Sequence, residues 1–242
     1  MTNFSYSGTE LDAFSLASNW RSYFRKIVGG YIGQDVLEVG AGIGSTTKML
    51  CDGTQNRWLC VEPDRQLIEK IKGNIETSGL PKCCSTQIGT SGDVPQDERF
   101  DTVFYVDVLE HIEDDRSELE TVVGLMRPGG HLIILSPAHQ GLYSALDAKV
   151  GHFRRYTKAS LLEIMPENMH TAKLMYVDSL GAIASAANRY VLKSGSPTKK
   201  QILFWDKMVI PFSRLLDPVL GYKVGKSVVG VWQKNDTNGK PE

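Results

Sequence analysis

The chain reads as a single α/β domain, a mostly parallel sheet covered by helices on both faces. Three observations predict it. Short apolar runs alternate with helical stretches through the first two thirds of the 242 residues, a glycine-rich turn follows the first clear run, and no internal repeat or low-complexity tract interrupts the series. A formal net charge of -1 with 41% hydrophobic residues describes an ordinary globular chain, without a global basic field to recruit nucleic acid or an anionic membrane.

Residues 14–28 read as a helix packed ahead of the first strand. Val36-Leu37-Glu38-Val39, Trp58-Leu59-Cys60-Val61, Val103-Phe104-Tyr105-Val106 and His131-Leu132-Ile133-Ile134-Leu135 read as buried strands, with another around Gln87-Ile88. Leu119, Val122, Val123 and Met126 share one helix face, and Pro128-Gly129-Gly130 is expected to stop that helix and turn into the next strand. After about residue 177 the pattern changes. Residues 179–193 and 199–216 read as two helices joined by Ser194-Gly195-Ser196-Pro197, then Val228-Val229-Gly230-Val231-Trp232 reads as a last strand and 235–242 as a polar, frayed tail. The expected organisation is one domain: 1–32 an N-terminal helical segment, 33–178 the core, 179–226 a helical insert, 227–234 the last strand.

Met1-Thr2-Asn3-Phe4-Ser5 lacks the basic and apolar blocks of a signal peptide, and no apolar run approaches the ~20 residues of a spanning helix, so a cytoplasmic location is expected. Cys51, Cys60, Cys83 and Cys84 form no C-x-x-C pair and have no His at zinc spacing; buried reduced thiols are expected.

A glycine turn after a strand serves dinucleotide enzymes and others alike. Here Gly40, Gly42 and Gly44 give G-x-G-x-G, whereas the dinucleotide fingerprint wants its third glycine where Ser45 stands. A carboxylate at Glu38 opposes a pyrophosphate at a helix N-terminus but suits S-adenosylmethionine, which has no phosphate and carries a sulfonium and an ammonium. Glu62, twenty-two residues after Gly40, is placed to accept both ribose hydroxyls of either cofactor. The polar turn Thr90-Ser91-Gly92-Asp93 is a place for adenine, with Asp93 or a nearby backbone group accepting from its amine.

These residues resemble a known family. Residues 36–44, Glu62-Pro63-Asp64, Phe100-Asp101, Asp107-Val108-Leu109-Glu110-His111-Ile112 and Arg127-Pro128-Gly129-Gly130-His131-Leu132 look like class I S-adenosylmethionine-dependent methyltransferases over roughly 33–136. The resemblance implies a Rossmann-like seven-stranded sheet of order 3-2-1-4-5-7-6, the seventh strand antiparallel. It implies a cofactor across the first, second and fourth strand ends, touching Glu38, Gly40, Ala41, Gly42, Gly44, Glu62, Pro63, Thr90, Ser91, Asp93, Asp107 and Val108. One departure is the fifty residues between Tyr176 and Ser227, where the family usually has a short connection. Gly151-His152-Phe153-Arg154-Arg155-Tyr156-Thr157 is similar to a subgroup that often accompanies glycosyltransferases or secondary-metabolite enzymes.

Methyl transfer is an in-line displacement on carbon, and a hydroxyl acceptor also needs a base. Asp107, His111 and His152 are the candidates. His111, Arg154, Arg155 and Tyr156 are expected to face the acceptor, with one of the two arginines in a structural ion pair. The acidic cluster Glu110, Glu113, Asp114 and Asp115 admits a metal reading, but its place ahead of an apolar helix face suits a helix N-terminus better, and no metal is expected.

From 188 to 226, Arg189, Lys193, Lys199, Lys200, Lys207, Arg214, Lys223 and Lys226 face two acidic residues, Asp206 and Asp217, a local net of +6. Ile202, Trp205, Met208, Val209, Phe212, Leu215 and Leu216 form an apolar helix face with a kink at Pro211. This insert reads as packing on the sheet, a lid over the acceptor, or a surface for a second subunit or peripheral lipid contact. The expected reaction is small-molecule O-methylation, yielding S-adenosylhomocysteine. N-methylation, an NAD-dependent oxidoreductase and an inactive binding module are the alternatives. Nucleic acid is not expected as a partner, since the chain has no Asn/Asp-Pro-Pro-aromatic motif.

Overall fold

The computed structural model describes residues 14–187 and 198–236. The N-terminal pentapeptide, the end of the helix expected to 193 with Arg189 and Lys193, the turn at 194–197 and the tail beyond 236 lie outside the described residues. Seven strands, β1 (Asp35–Val39), β2 (Arg57–Glu62), β3 (Cys84–Ile88), β4 (Phe100–Val106), β5 (Met126–Pro137), β6 (Met169–Val177) and β7 (Ser227–Lys234), lie in the order β3-β2-β1-β4-β5-β7-β6. β7 pairs antiparallel with both its neighbours and the other pairs are parallel, which is the Rossmann-like order expected.

The pleat explains why the strands read as continuous apolar runs: alternate side chains enter two cores. Leu37, Val39, Val103, Tyr105, Leu132 and Ile134 face one, where α4 (Asp115–Gly124) contributes Leu119, Val122 and Val123. Val36, Trp58, Phe104, Ile133 and Leu135 face the other, against Tyr23, Phe24 and Val28 of α1 (Ser18–Val28), Leu50 of α2 (Ser45–Leu50) and Ile71 of α3 (Arg65–Glu76). Full burial of each such side chain is worth about 1.5–3 kcal/mol.

Some boundaries differ from the sequence reading. α4 ends at Gly124, and Met126 already pairs with Phe100 as the first residue of β5. Pro128-Gly129-Gly130 therefore bends the strand from within: the register jumps from Phe100↔Met126 to Thr102↔His131, and Gly129 sits at φ +74°. The regular part of α1 starts at Ser18 rather than at 14: Ala17, at φ -77° and ψ 76°, lies outside the helical region and offers no capping side chain. Its free N–H groups are met from far away: Asp206 Oδ2 accepts from Asn19 N at 3.2 Å and Oδ1 from Trp20 N at 2.9 Å.

Between α5 (Ala145–Val150), α6 (Lys158–Ile164) and the last strand, the late insert contains α7 (Ser179–Ala187), α8 (Lys199–Phe204) and α9 (Ile210–Val219). A π-helical turn, Trp205–Val209, joins α8 to α9. Pro211 was expected to kink this run. It sits instead in the first turn of α9, and the widened turn just before it accommodates the missing N–H and the ring's clash with the preceding carbonyls. Buried carboxylates anchor the insert. Asp217 accepts from Tyr23 Oη and Asp178 N, both at 2.8 Å, and from Ser179 N at 3.0 Å. Asp178 accepts from Trp205 Nε1 at 2.7 Å and Ser213 Oγ at 2.8 Å. Ile202 and Ile210 are buried, whereas Phe204, Met208, Phe212, Leu215 and Val219 are exposed, so the face grouped in the sequence is split between core and surface. No helix among the described residues is long and apolar enough to cross a membrane.

Candidate active site

The carboxyl ends of β1, β2 and β4 converge, as an open parallel sheet requires where its strand order reverses. Gly40, Gly42 and Gly44 all adopt left-handed φ, at +68°, +58° and +76°. A Cβ on Gly40 would come within 2.5 Å of Val108 Cγ2, so the turn can lie against the β4 end only if this residue is glycine. Gly40 N and Ala41 N donate to Val61 O and bind the turn to β2.

Glu62 ends β2 and is 5% exposed. Oε2 accepts from Gly42 N at 2.9 Å and Oε1 from Asp64 N at 3.0 Å. Burial raises its pKa, against those two bonds, and each oxygen keeps a lone pair for a further donor. Pro63 leads into Asp64, which caps α3 by accepting from Gln66 N.

Glu38 points the other way, into the core beneath the turn. It is 2% exposed, and Oε2 accepts from Thr47 Oγ1 and Trp58 Nε1, both at 2.7 Å. Burial pushes its pKa up to about 7 despite those bonds. Thr90 and Asp93 form a capping box around a 3₁₀ turn, Ser91–Asp93: Asp93 Oδ2 accepts from Thr90 N at 2.8 Å and Thr90 Oγ1 at 3.0 Å, which holds its pKa down, and Ser91 is buried.

Asp107 follows β4 at φ +55°, with its N–H donating to Leu135 O. Asp107 is exposed, and desolvation by the surrounding protein still raises its pKa to about 6, partly offset by His152 and Lys226. The 3₁₀ turn Leu109–His111 then swings Glu110 inward, fully buried, where Oε2 accepts from Ser136 Oγ at 3.0 Å and Oε1 lacks a protein partner. Burial, then the nearby Asp107, drives its pKa well up.

His152 completes the cluster. Its ring stands edge-on to His111, centroids 4.5 Å apart, with Nε2 3.9 Å from Glu110 Oε1. Nδ1 lies 2.8 Å from Asp147 Oδ1. Burial would raise the Asp147 pKa, but His152, Arg155 and Ser144 outweigh it and hold the carboxyl ionised. An ionised Asp147 keeps a proton on Nδ1, which leaves Nε2 as the atom that can give or take a proton toward the site. Glu110, His111 and His152 each bring one ligand atom within 4.8 Å of the others, so this grouping has the donor set to take a divalent ion as well as to move a proton.

Three residues expected at the acceptor are tied into the fold, although Arg155 Nη1 has no hydrogen-bond partner. Both arginines, not one, are ion-paired: Arg154 NH1 donates to Asp115 Oδ2 at 2.6 Å, and Arg155 grips both oxygens of Asp147 at 2.8 and 2.9 Å. Tyr156, 1% exposed, donates to Asp115 Oδ2 at 2.7 Å. Asp115 is thus spent inside the fold and Asp114 accepts from Ser117 N, capping α4; the acidic run divides, and only Glu110 turns to the site. The sequence reading missed Lys226, whose charge acts on Asp107. Its signal is register: Pro137 pairs with Ser227, which sets Lys226 beside Ala138 at the carboxyl end of β5.

Comparison with known proteins agrees with this geometry. A methyltransferase domain family matches residues 37–132. Norajmaline N-methyltransferase of Rauvolfia serpentina is 26% identical over 112 residues, 45% of this chain and 38% of that one. Ubiquinone biosynthesis O-methyltransferase of Alkalilimnicola ehrlichii is 28% identical over 155 residues, 61% of this chain and 57% of that one. The chain thus spans less than two thirds of these relatives. The N-methyltransferase NodS of Bradyrhizobium japonicum, solved with S-adenosyl-L-homocysteine, superposes with a TM-score of 0.58 at 14% identity, covering 92% of this chain and 88% of NodS. Residues 37–132 thus match a methyltransferase domain, and the sheet order is that of the Rossmann-like fold.

Proposed function

We propose that the chain transfers the methyl group of S-adenosylmethionine to a hydroxyl of a small-molecule acceptor, in the cytoplasm, in secondary-metabolite or saccharide biosynthesis. The observation that carries this reading is the pairing of Glu62 with the left-handed glycine turn: a buried carboxylate with one lone pair left on each oxygen, beside the half-exposed backbone of Gly40 and Gly42. That combination fits a ribose diol and an adjoining amino-acid chain. Glu38 supports the turn from beneath through Thr47 and Trp58. Thr90 to Asp93 border the adenine, and Asp107 and Val108 border the sulfonium end.

The bound cofactor supplies an electrophilic methyl group; the protein aligns the acceptor and removes its proton. His152 Nε2 is the base in this reading, with Asp147 holding the tautomer and Arg155 holding Asp147. His111, edge-on to it, borders the acceptor. This base makes the proposed step independent of a metal. An amine acceptor would need less of a base, and the N-methyltransferase relatives keep N-methylation as the second reading.

Calorimetry with S-adenosylhomocysteine and NADH tests the cofactor: binding of the first alone is expected, and binding of NADH alone overturns the reading. Labelled cofactor incubated with small-molecule extracts then tests the reaction. His152→Ala should keep S-adenosylhomocysteine binding and lose transfer; a parent chain that binds but labels nothing is a binding module.

A further inference from the structure

Three thiols meet at the end of the sheet opposite Glu62 and Asp107. Cys51 is the C-cap of α2, Cys84 opens β3 opposite Trp58 of β2, and Cys83 precedes it. Cys51 Sγ lies 3.5 Å from Cys83 Sγ and 3.6 Å from Cys84 Sγ, and the three sulfurs fall within 4.8 Å of one another. Cys51 and Cys84 are buried; Cys83, expected to be buried too, is partly exposed.

We propose that Cys51, Cys83 and Cys84 form a binding site for a thiophilic divalent cation of the zinc class. The spacing argues for it. With metal–sulfur bonds of about 2.3 Å, tetrahedral ligands stand about 3.8 Å apart and trigonal ones about 4.0 Å, so the two close contacts need open by only a few tenths of an ångström. The donor set argues for it as well: three sulfurs and no carboxylate select soft and borderline cations over magnesium or calcium. Cys83 gives the ion a path from solvent and leaves a fourth position for water.

Because thiols bind such a cation as thiolates, uptake releases protons and affinity rises with pH. The sequence offers no sign of the site, since adjacent cysteines and one thirty-two residues earlier match no zinc spacing. A bound ion would clip the C-terminus of α2, whose N-terminus follows the glycine turn, to the first residue of β3.

The test is an anaerobic titration of the untagged, fully reduced chain with Co2+ and then Zn2+. One equivalent of Co2+ is expected to give thiolate charge-transfer absorption, lost on adding Zn2+, and Zn2+ should raise the melting temperature. Cys83→Ser, at the exposed member, should fold, keep the parent's affinity for S-adenosylhomocysteine and bind Co2+ at least ten-fold more weakly. Absence of the thiolate band in the parent, an undiminished band in Cys83→Ser, or a Cys51–Cys83 disulfide persisting in the reduced sample overturns the proposal.

Discussion

His152 Nδ1 and Asp147 Oδ1 stand 2.8 Å apart across the C-cap of α5, where Gly151 at φ +84° turns the chain back on the helix. The same carboxylate accepts from Ser144 N at 2.7 Å and from the Arg155 guanidinium. One ionised group therefore starts a helix, balances a buried cation and aims an imidazole. Its pKa, depressed overall, makes this stabilisation present above the ordinary Asp range near 3.9 and progressively lost as pH falls below it.

Asp147→Asn keeps the volume but loses the charge that selects the Nδ1–H tautomer. A decrease of about 10²-fold in kcat is expected, within the range of general-base catalysis, with S-adenosylhomocysteine affinity unchanged. Steady-state kinetics beside calorimetry measure both. Equal losses in rate and cofactor affinity would mean that Asp147 only shapes the fold.

Glu62→Gln replaces an acceptor-only group with one whose amide nitrogen repels a ribose hydroxyl proton and cannot accept from Asp64 N or Gly42 N. Charge-assisted hydrogen bonds contribute about 1.5–3 kcal/mol each, so the Kd for S-adenosylhomocysteine should rise at least ten-fold. An unchanged Kd places the ribose elsewhere.

The strands and the glycine turn were legible because their causes are local. A parallel strand buried on both faces writes a continuous apolar run, as at 103–106, and Gly40 is required by its own φ and by Val108 against it. Partner choice is not local. Asp206 reaches Asn19 across 187 positions, and Asp217 reaches Tyr23 across 194. Arg154, Arg155 and Tyr156 looked free for an acceptor because nothing in their own segment shows Asp115, or an Asp147 already ionised, waiting for them. Glu110 separated from its acidic neighbours through the 3₁₀ turn alone, a geometry that composition cannot express.

Asp206→Ala removes the carboxylate that caps α1 from the late insert. Loss of an N-cap costs about 0.5–2 kcal/mol, and the upper end is expected because Asp206 is buried and meets two N–H groups. The urea midpoint should fall at constant slope. A changed slope would instead indicate that α1 or the insert detaches, and no change would remove the cap.

Glu38 makes stability pH-dependent in the direction opposite to Asp147. Burial raises its pKa from 4.5 to about 7, so the fold prefers the protonated side chain: the stabilisation is complete below about 4.5 and is lost as pH rises to about 7, at a cost of about 3 kcal/mol for the buried charge. Glu38→Gln stays neutral at every pH and keeps an oxygen for Thr47 Oγ1 and Trp58 Nε1. Urea midpoints at pH 8 should therefore favour the variant, and the difference should close by pH 5. A variant weaker than the parent by the same margin at both values would show that Glu38 is charged in the fold, held by donors stronger than Thr47 and Trp58.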